Sequence, residues 1–164
     1  MHCSLARSLE LIGDWWSPLI LRDLAIGPRR FDELATDLGV SRNLLTTRLH
    51  GLMTAGVIRR RLYEQRPPRY EYALSDAGME IVPVLMALTA WGDRWATPQG
   101  GPPLRYRHRN CGAVFTPTVC CPTCTETVHA DDVDLLPGPG GRQAPGTMLT
   151  GDFLAERQHE RTPS

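Results

Sequence analysis

Residues 31–56 read FDELATDLGVSRNLLTTRLHGLMTAG and carry the clearest structural signal of the sequence. It predicts a short helix, a turn centred on Gly39 and a second helix that begins after Ser41. Serine is preferred at a helix N-cap because its hydroxyl accepts a hydrogen bond from a backbone N–H that the first turn leaves unpaired. Two helices joined by a short glycine-containing turn are typical of a helix-turn-helix.

A β-hairpin is predicted immediately after the helix-turn-helix. Its strands are Val57 to Glu64 and Arg69 to Ser75, and the residues QRPP form its tip. Two helices followed by such a hairpin describe a winged helix. An apolar helix at residues 16–26 is expected to support the helix-turn-helix from behind, because its apolar residues are spread over several sides. The sequence therefore predicts an α+β fold that is mainly α.

Positive charge is concentrated in the part of the chain that a winged helix turns toward nucleic acid. The formal net charge of the whole chain is zero, and all 18 of its Lys and Arg positions are arginine. Between Ser41 and Arg69, however, there are seven arginines and a single acid, Glu64. Local excess positive charge attracts phosphates even when the average charge is neutral. The pattern predicts double-stranded DNA as a partner.

The helix that begins after Ser41 has two faces. Its leucines recur at i, i+4 and i+7 and point to the core, while its N-terminal end carries side chains that can read bases. Arginine pairs with guanine, asparagine with adenine, and the threonine methyl contacts thymine. Arginines one turn further on and at the hairpin tip suit phosphates. A solvated face without DNA contact is the alternative. The predicted DNA-binding residues are Arg42, Asn43, Thr46, Thr47, Arg48, Arg66 and Arg69.

A long amphipathic helix is predicted from Asp76 to Trp95, with Asp76 as its N-cap. Its apolar side chains, Leu88 and Trp91 among them, continue over a greater length than one small domain needs to bury. Pro83 lies inside the helix and is expected to kink it or to loosen one turn. The surplus apolar length favours a dimer interface. The alternative is that the helix only covers its own core.

Four of the five cysteines form a cluster in the last third of the chain. Two pairs of potential metal ligands, each with two residues between its members, lie at the ends of a short β segment at residues 113–119. This spacing is typical of a small zinc ribbon with a closed, structural Cys₃His site. The predicted zinc ligands are His108, Cys111, Cys121 and Cys124.

Alternatives to this zinc site remain open at the level of the sequence. Cys120 could replace a neighbouring ligand or be a spare thiol, and His129 could replace His108. The cluster could also be a relic that no longer binds metal, or a redox dithiol. The predicted organisation is a winged helix-turn-helix and dimerisation domain at residues 1–96, a linker at 97–104, a zinc-ribbon-like appendage at 105–141 and a polar tail at 142–164 with a short helix near 152–158.

Several classes of protein are disfavoured by what the sequence lacks. No apolar run approaches the length of a membrane span, and the N-terminal residues do not have the basic-then-apolar order of a signal peptide, so we expect a cytoplasmic protein with no membrane partner. Neither an acid–base pair nor a glycine-rich cofactor cradle is evident, so we expect no enzymatic activity. The alternative to DNA binding is a protein-interaction module in which the winged fold and metal ribbon bind a protein partner.

Segments of the first 96 residues match a known pattern in order and without large gaps. They are CSLARSLELIGDWW at residues 3–16, LILRDL at 19–24, GPRRFDEL at 27–34, LTTRL at 45–49, GVI at 56–58, PRYEYALS at 68–75, and PVL at 83–85 with WG at 91–92. They resemble the HxlR family of bacterial winged-helix transcriptional regulators. The resemblance implies a homodimer that pairs through its first and last helices and binds a palindromic operator. The family tolerates a proline where Pro83 lies.

The same resemblance draws attention to Cys3. Several relatives use a cysteine near the N-terminus to sense electrophiles, oxidants or aldehydes, and Cys3 aligns with it. A thiol at the start of a helix is favoured as thiolate by the partial positive charge of the helix N-terminus. The resemblance therefore implies Cys3 as a candidate sensor and an oxidant or small molecule as a candidate effector. A packed or inert thiol is the alternative.

Overall fold

The computed structural model describes residues 3–96, 99–141, 144 and 147–160, with side chains described as far as residue 154. The chain divides into two compact units, residues 15–128 and residues 1–14 with 129–164. The domain boundaries given above stay a prediction. The helices are α1 (Ser4–Ile12), α2 (Ser17–Ile26), α3 (Phe31–Leu38), α4 (Arg42–Thr54), α5 (Asp76–Trp95) and α6 (Met148–Glu160), and the strands are β1 (Arg29–Arg30), β2 (Ile58–Gln65), β3 (Pro68–Leu74), β4 (Tyr106–Arg107) and β5 (Val114–Phe115).

Helices α3 and α4 form the predicted helix-turn-helix. Helix α3 ends at Gly39, whose φ of 63° and ψ of 26° place it in the left-handed region that glycine enters without steric cost. The Ser41 hydroxyl then accepts a hydrogen bond from the Leu44 N–H at 3.3 Å, which caps α4. Both the turn and the cap predicted from the sequence are confirmed.

The hydrophobic core of the unit formed by residues 15–128 lies where α2, α3, α4 and the wing strands meet. Helix α2 buries several of its sides, as its uniform apolarity predicts, and α4 contributes the three leucines expected from its spacing. Burial of these side chains is the main stabilising contribution to the winged helix. The buried apolar residues are Ile20, Leu21, Leu24, Leu34, Leu45, Leu49, Leu52, Val57, Ile58, Ala73 and Leu74.

Asp23 is a buried acid beside this core, with 7% of its surface exposed. One carboxylate oxygen accepts a hydrogen bond from Arg22 Nε at 2.8 Å, and the other has no hydrogen-bond partner among the described residues. Burial raises the pKa of Asp23 above its ordinary value of 3.8, and Arg22 opposes that rise. Arg22 also lies 3.3 Å from a carboxylate oxygen of Asp37, so it links α2 to α3.

The wing is a three-stranded antiparallel sheet in the order β1-β3-β2. Strands β2 and β3 lie within a residue or two of the predicted boundaries, and two residues, Arg66 and Pro67, separate them at the tip. Strand β1, in which Arg29 pairs with Tyr72 and Arg30 with Glu71, was not predicted from the sequence. A strand of two residues is too short to show an alternating pattern, so periodicity could not reveal it.

The N-cap of α5 is Ser75, so the prediction of Asp76 as the cap is wrong. The Ser75 hydroxyl accepts a hydrogen bond from the Gly78 N–H at 3.2 Å and lies 2.6 Å and 2.8 Å from the carbonyl oxygens of Gly56 and Val57. Ser75 has an extended backbone, as an N-cap requires, and Asp76 is already the first helical residue. The helix then runs through Pro83 to Trp95.

The remaining elements follow the winged helix. Strands β4 and β5 form a small antiparallel hairpin, and Cys120 pairs with Thr127 in a single bridge further on. The other unit contains α1, a 3₁₀ turn at Ala130–Asp132 and α6, which includes the short helix predicted near 152–158 and is longer than expected. None of the described helices has the length and apolarity needed to cross a membrane.

Candidate nucleic-acid interface

The N-terminal end of α4 presents four of the predicted reading side chains to solvent. Arg42, Asn43, Thr46 and Thr47 are all exposed. The two threonine hydroxyls donate to the backbone oxygens one turn earlier, at 2.8 Å from Arg42 O and 3.0 Å from Asn43 O. With the hydroxyls engaged in this way, the methyl groups remain for contact with a partner, which suits the thymine methyl of a base pair.

Arg42 is held in place by α3. Its guanidinium lies 2.5 Å from Asp32 Oδ1 and stacks over the Phe31 ring at 4.7 Å from the ring centre. The ion pair is well exposed, so it contributes little to stability. Its effect is positional, because it restricts the rotamers of a side chain that is otherwise among the most flexible. The structure thus brings together the first residues of both helices of the helix-turn-helix.

The three other arginines predicted to bind DNA, which are Arg48 on α4 and Arg66 and Arg69 on the wing, differ in their surroundings. Arg66 is exposed at the tip and makes no ion pair among the residues that the structure describes. Arg69 pairs across the hairpin with Glu64, at 3.3 Å between its Nε and the carboxylate. Arg48 is partly buried, in contrast to the exposed residues at the start of α4. Of these three arginines, Arg66 is therefore the one that is exposed and makes no ion pair among the described residues.

The wing arginines also contact aromatic rings and acids, as strand alternation requires. Arg61 forms an ion pair with Glu71 of the neighbouring strand. Arg60 stacks over Tyr70 at 4.1 Å from the ring centre. The Tyr70 ring therefore packs against a cation of the neighbouring strand.

Arg30 is a candidate interface residue that was not predicted from the sequence. It lies on β1 and stacks over Tyr63 of β2, 4.5 Å from the ring centre. It is exposed and extends the basic surface to the strand that periodicity did not reveal. The RR pair at residues 29–30 was the available signal in the sequence.

The cysteine cluster is built on two knuckles, which we define as residues 108–113 and 121–126. In the first, the Gly112 N–H donates to His108 O at 2.8 Å and the His108 N–H donates to Ala113 O at 2.9 Å. In the second, the Thr125 N–H donates to Cys121 O at 2.8 Å and the Cys121 N–H donates to Glu126 O at 2.9 Å. The two knuckles therefore have the same backbone hydrogen-bond pattern.

Each knuckle brings its own pair of potential ligands together. His108 Nδ1 lies 3.3 Å from Cys111 Sγ. Hydrogen bonds from the backbone amides of Cys124 and Thr123 lower the pKa of the Cys121 thiol. Across the described parts of the chain, however, no three His, Cys, Asp or Glu side chains are gathered into a group that could hold a metal ion. The four predicted ligands are thus paired rather than assembled.

Cys3 occupies the N-cap position of α1. It is partly exposed, its thiol makes no capping hydrogen bond, and its carbonyl accepts the Arg7 N–H at 3.1 Å. A thiol at this point of a helix is accessible to a reagent from solvent and adjoins the unpaired amides of the first turn. Cys3 is a free cysteine, like the four in the cluster.

The fold and the basic face together define a winged helix-turn-helix DNA-binding protein. A model of the HxlR-like helix-turn-helix family matches residues 11–100. The chain belongs to this family of helix-turn-helix transcriptional regulators.

A relative from Mycobacterium tuberculosis, the uncharacterised HTH-type transcriptional regulator Rv3095, is 40% identical over 137 residues, which cover 84% of this chain and 87% of the relative. This alignment is longer than the stretch that the family model matches, so it includes part of the region after the winged helix. An HTH-type transcriptional regulator of Synechocystis, sll1512, is 43% identical over 94 residues, or 57% of this chain and 70% of the relative.

Solved structures show the same architecture. PA1607, a putative transcription factor, superposes with a TM-score of 0.71 at 31% identity, covering 81% of this chain and 93% of that one. The redox regulator HypR in its oxidised form superposes with a TM-score of 0.55 at 27% identity, covering 58% of this chain and all of that one. These matches confirm the winged helix and the α+β class predicted from the sequence.

Proposed function

We propose that this regulator acts as a homodimer on a palindromic operator, with the N-terminal end of α4 reading bases and the wing gripping phosphates. The observation that carries the proposal is the exposed set of Arg42, Asn43, Thr46 and Thr47 at the start of α4. In helix-turn-helix proteins this end of the second helix meets base edges, and two copies lie about 34 Å apart on one face of DNA. Such a regulator works in the cytoplasm.

The dimer is supported by an apolar seam on α5, which we define as Val84, Leu88, Trp91 and Trp95. Each of these side chains is more than half exposed in the single chain. Their spacing of four, three and four residues is that of a seam that packs against a second helix. An exposed apolar stripe of this size on a single chain marks an interaction surface. Helix α1 carries its own exposed apolar residues, Leu5 and Leu9 among them.

The test is a titration of fluorescently labelled duplex from the region upstream of the protein's own gene, with a scrambled duplex as reference. Arg42→Ala should weaken binding to the preferred duplex by about 1–3 kcal/mol and leave the scrambled duplex almost unaffected. Arg66→Ala should weaken both duplexes alike and reduce the slope of log K against log salt by about 1. Arg94→Ala, which removes an exposed charge on α5, is the matched control.

Comparing the DNA affinities of the two variants shows which arginine recognises bases and which contacts only the phosphate backbone. If Arg66→Ala changed sequence preference while Arg42→Ala weakened all duplexes equally, the reading helix would be misassigned. If no duplex were preferred over the scrambled one across a genomic library, the protein-interaction module would become the better interpretation. In that case the basic face would give only salt-dependent, non-specific affinity.

The effector proposed for the regulator is an oxidant or another thiol-reactive molecule that acts at Cys3. Its support is the accessible, uncapped thiol at the start of α1 and the similarity to a redox regulator. The same titration, repeated after mild oxidation and again after reduction, tests it. Reversible loss of operator preference that persists in Cys120→Ser and disappears in Cys3→Ser would support Cys3 as the sensor. If operator preference were unchanged after oxidation, Cys3 would not be an oxidant sensor.

A further inference from the structure

We propose that the two knuckles together bind one structural zinc ion through His108, Cys111, Cys121 and Cys124. The proposal adds a metal site to the region after the winged helix and does not depend on how the protein recognises DNA. It rests on the backbone of the knuckles, on the chemistry of the four side chains and on how little of the surrounding segment is buried.

The backbone repeat is the first argument. Each knuckle begins with one potential ligand, places the second three residues later, and closes with an amide that donates back to the carbonyl of the first at 2.8 Å. The residues that follow the second ligand, Gly112 and Thr125, have φ of 72° and 64°. Two turns of different sequence have thus converged on one conformation, which suggests that both serve the same ligand-presenting role.

Thr125 makes this convergence informative. Glycine enters the left-handed region freely, but a β-branched residue does so at a steric cost. Of the described residues other than glycine, Thr125 is the one with positive φ. A strained residue persists when its surroundings hold it, and such residues cluster at ligand sites. The cost at Thr125 is explained if this turn must aim Cys121 and Cys124 at a common point.

The side chains supply the right donors. Three thiols and one imidazole form a ligand set that zinc prefers in closed, tetrahedral sites. His108 and Cys111 already lie 3.3 Å apart between Nδ1 and Sγ, close to the separation of neighbouring ligand atoms around one ion.

The segment also has little else to stabilise it. No residue between 99 and 128 is buried, and Val114, Phe115 and Val119 are exposed. Two strands of two residues and one isolated bridge cannot hold a hairpin pair together in water. A small segment without a core needs a metal or disulfides, and all four cysteines here are free.

The two ligand pairs must approach each other to complete the site, since the described residues hold them as separate pairs. Zinc binding should therefore close one knuckle on the other. This closure gives a structural readout: the amide protons of Gly112 and Thr125 should exchange with solvent more slowly in the zinc-bound protein than after chelation.

The experiment is to measure zinc per chain by elemental analysis of the purified full-length protein, and to record the visible spectrum after replacement by Co²⁺. We expect one zinc per chain and the intense d–d bands of tetrahedral cobalt bound by thiolates. Cys111→Ser, Cys121→Ser and Cys124→Ser should each lose the ion. Cys120→Ser removes the adjacent thiol and is the matched control, which should keep it.

Each outcome decides the proposal. Zinc retained in Cys120→Ser and lost in Cys124→Ser, with unchanged helical circular dichroism, would support the assigned ligands. Loss of zinc from Cys120→Ser but not from Cys124→Ser would overturn the proposed ligand set. Loss of zinc from His129→Ala but not from His108→Ala would overturn it as well. The site itself would be overturned if protein purified without chelator contained no zinc and gave no cobalt spectrum. It would also be overturned if the protein bound half an ion per chain, shared between two copies.

Discussion

Replacing Gly78 with alanine should destabilise the winged helix although alanine is the better helix former. A Cβ at this position would lie 2.2 Å from the carbonyl oxygen of Val57 and 3.1 Å from Leu74 Cδ2. Contacts below 3.0 Å are essentially never seen for real Cβ atoms, so the first turn of α5 must move away from Val57 by about an ångström. Gly78 is buried, which leaves that movement little room.

The expected loss in the free energy of unfolding follows from the contacts that the shift of the first turn of α5 disturbs. Overpacking of a buried site costs about 1–3 kcal/mol. The displaced turn also strains the contacts of Ser75 with Val57 O, 3.0 Å from its N–H and 2.8 Å from its hydroxyl, and such a bond contributes about 1 kcal/mol. The higher helix propensity of alanine offsets about 1 kcal/mol of this destabilisation. The net loss in the free energy of unfolding is about 2 kcal/mol.

Gly51→Ala is the matched control. Gly51 lies inside α4, is exposed, and a Cβ there would meet nothing within 4 Å. The same chemical change should therefore raise the free energy of unfolding by about 0.5–1 kcal/mol. Urea unfolding of both variants, followed by circular dichroism without DNA, gives the two values. Equal effects with the same sign would refute the argument that the backbone approach to Val57 requires glycine at position 78.

Two further predictions concern the surface and the buried acid. Leu88→Glu places a charge in the apolar seam of α5 and should convert the proposed dimer into a monomer in sedimentation analysis. Met79→Glu, at an equally exposed apolar site on α5 outside that seam, should leave the proposed dimer intact. A dimer that survives Leu88→Glu would mean that another surface pairs the chains. Because burial raises the pKa of Asp23 above 3.8, its contribution to stability is fully present below pH 3.8 and is lost as pH rises through the raised pKa. Asp23→Asn should remove this loss of stability toward neutral pH, measured by urea unfolding at several pH values. Asp37→Asn should leave most of the loss, because burial is the largest cause of the raised pKa of Asp23 and Asp37 adds a smaller part.

The sequence predicted those parts of the fold whose signals are local. Gly39 and Ser41 indicate the end of α3 and the start of α4, because glycine is preferred after a helix C-terminus and serine at a helix N-cap. The N-cap of α5 was misassigned because Ser75 and Asp76 are both good caps, and the choice depends on carbonyls of Gly56 and Val57 far away in sequence. Strand β1 is likewise visible only through its pairing with β3.

The candidate interface was predictable in its residue types and less so in its geometry. Exposed side chains at the start of α4 follow from helical periodicity, which also sets the opposite face toward the core. The partners that restrain Arg42, Arg61 and Arg69 lie on other elements or across a hairpin. Those contacts depend on tertiary packing, and no pattern within one segment encodes them. The assignment of individual residues to DNA contacts stays a prediction.

The contact between Arg42 and α3 has a consequence for how operator preference can evolve. Asp32 and Phe31 fix the direction of the guanidinium before any DNA is present, so part of its ordering cost is met during folding. If Arg42 reads a base, a substitution at Asp32 would change which base is preferred without altering any residue on the reading face of α4. Descendants of this protein could therefore drift to new operators through mutations in the helix that supports recognition.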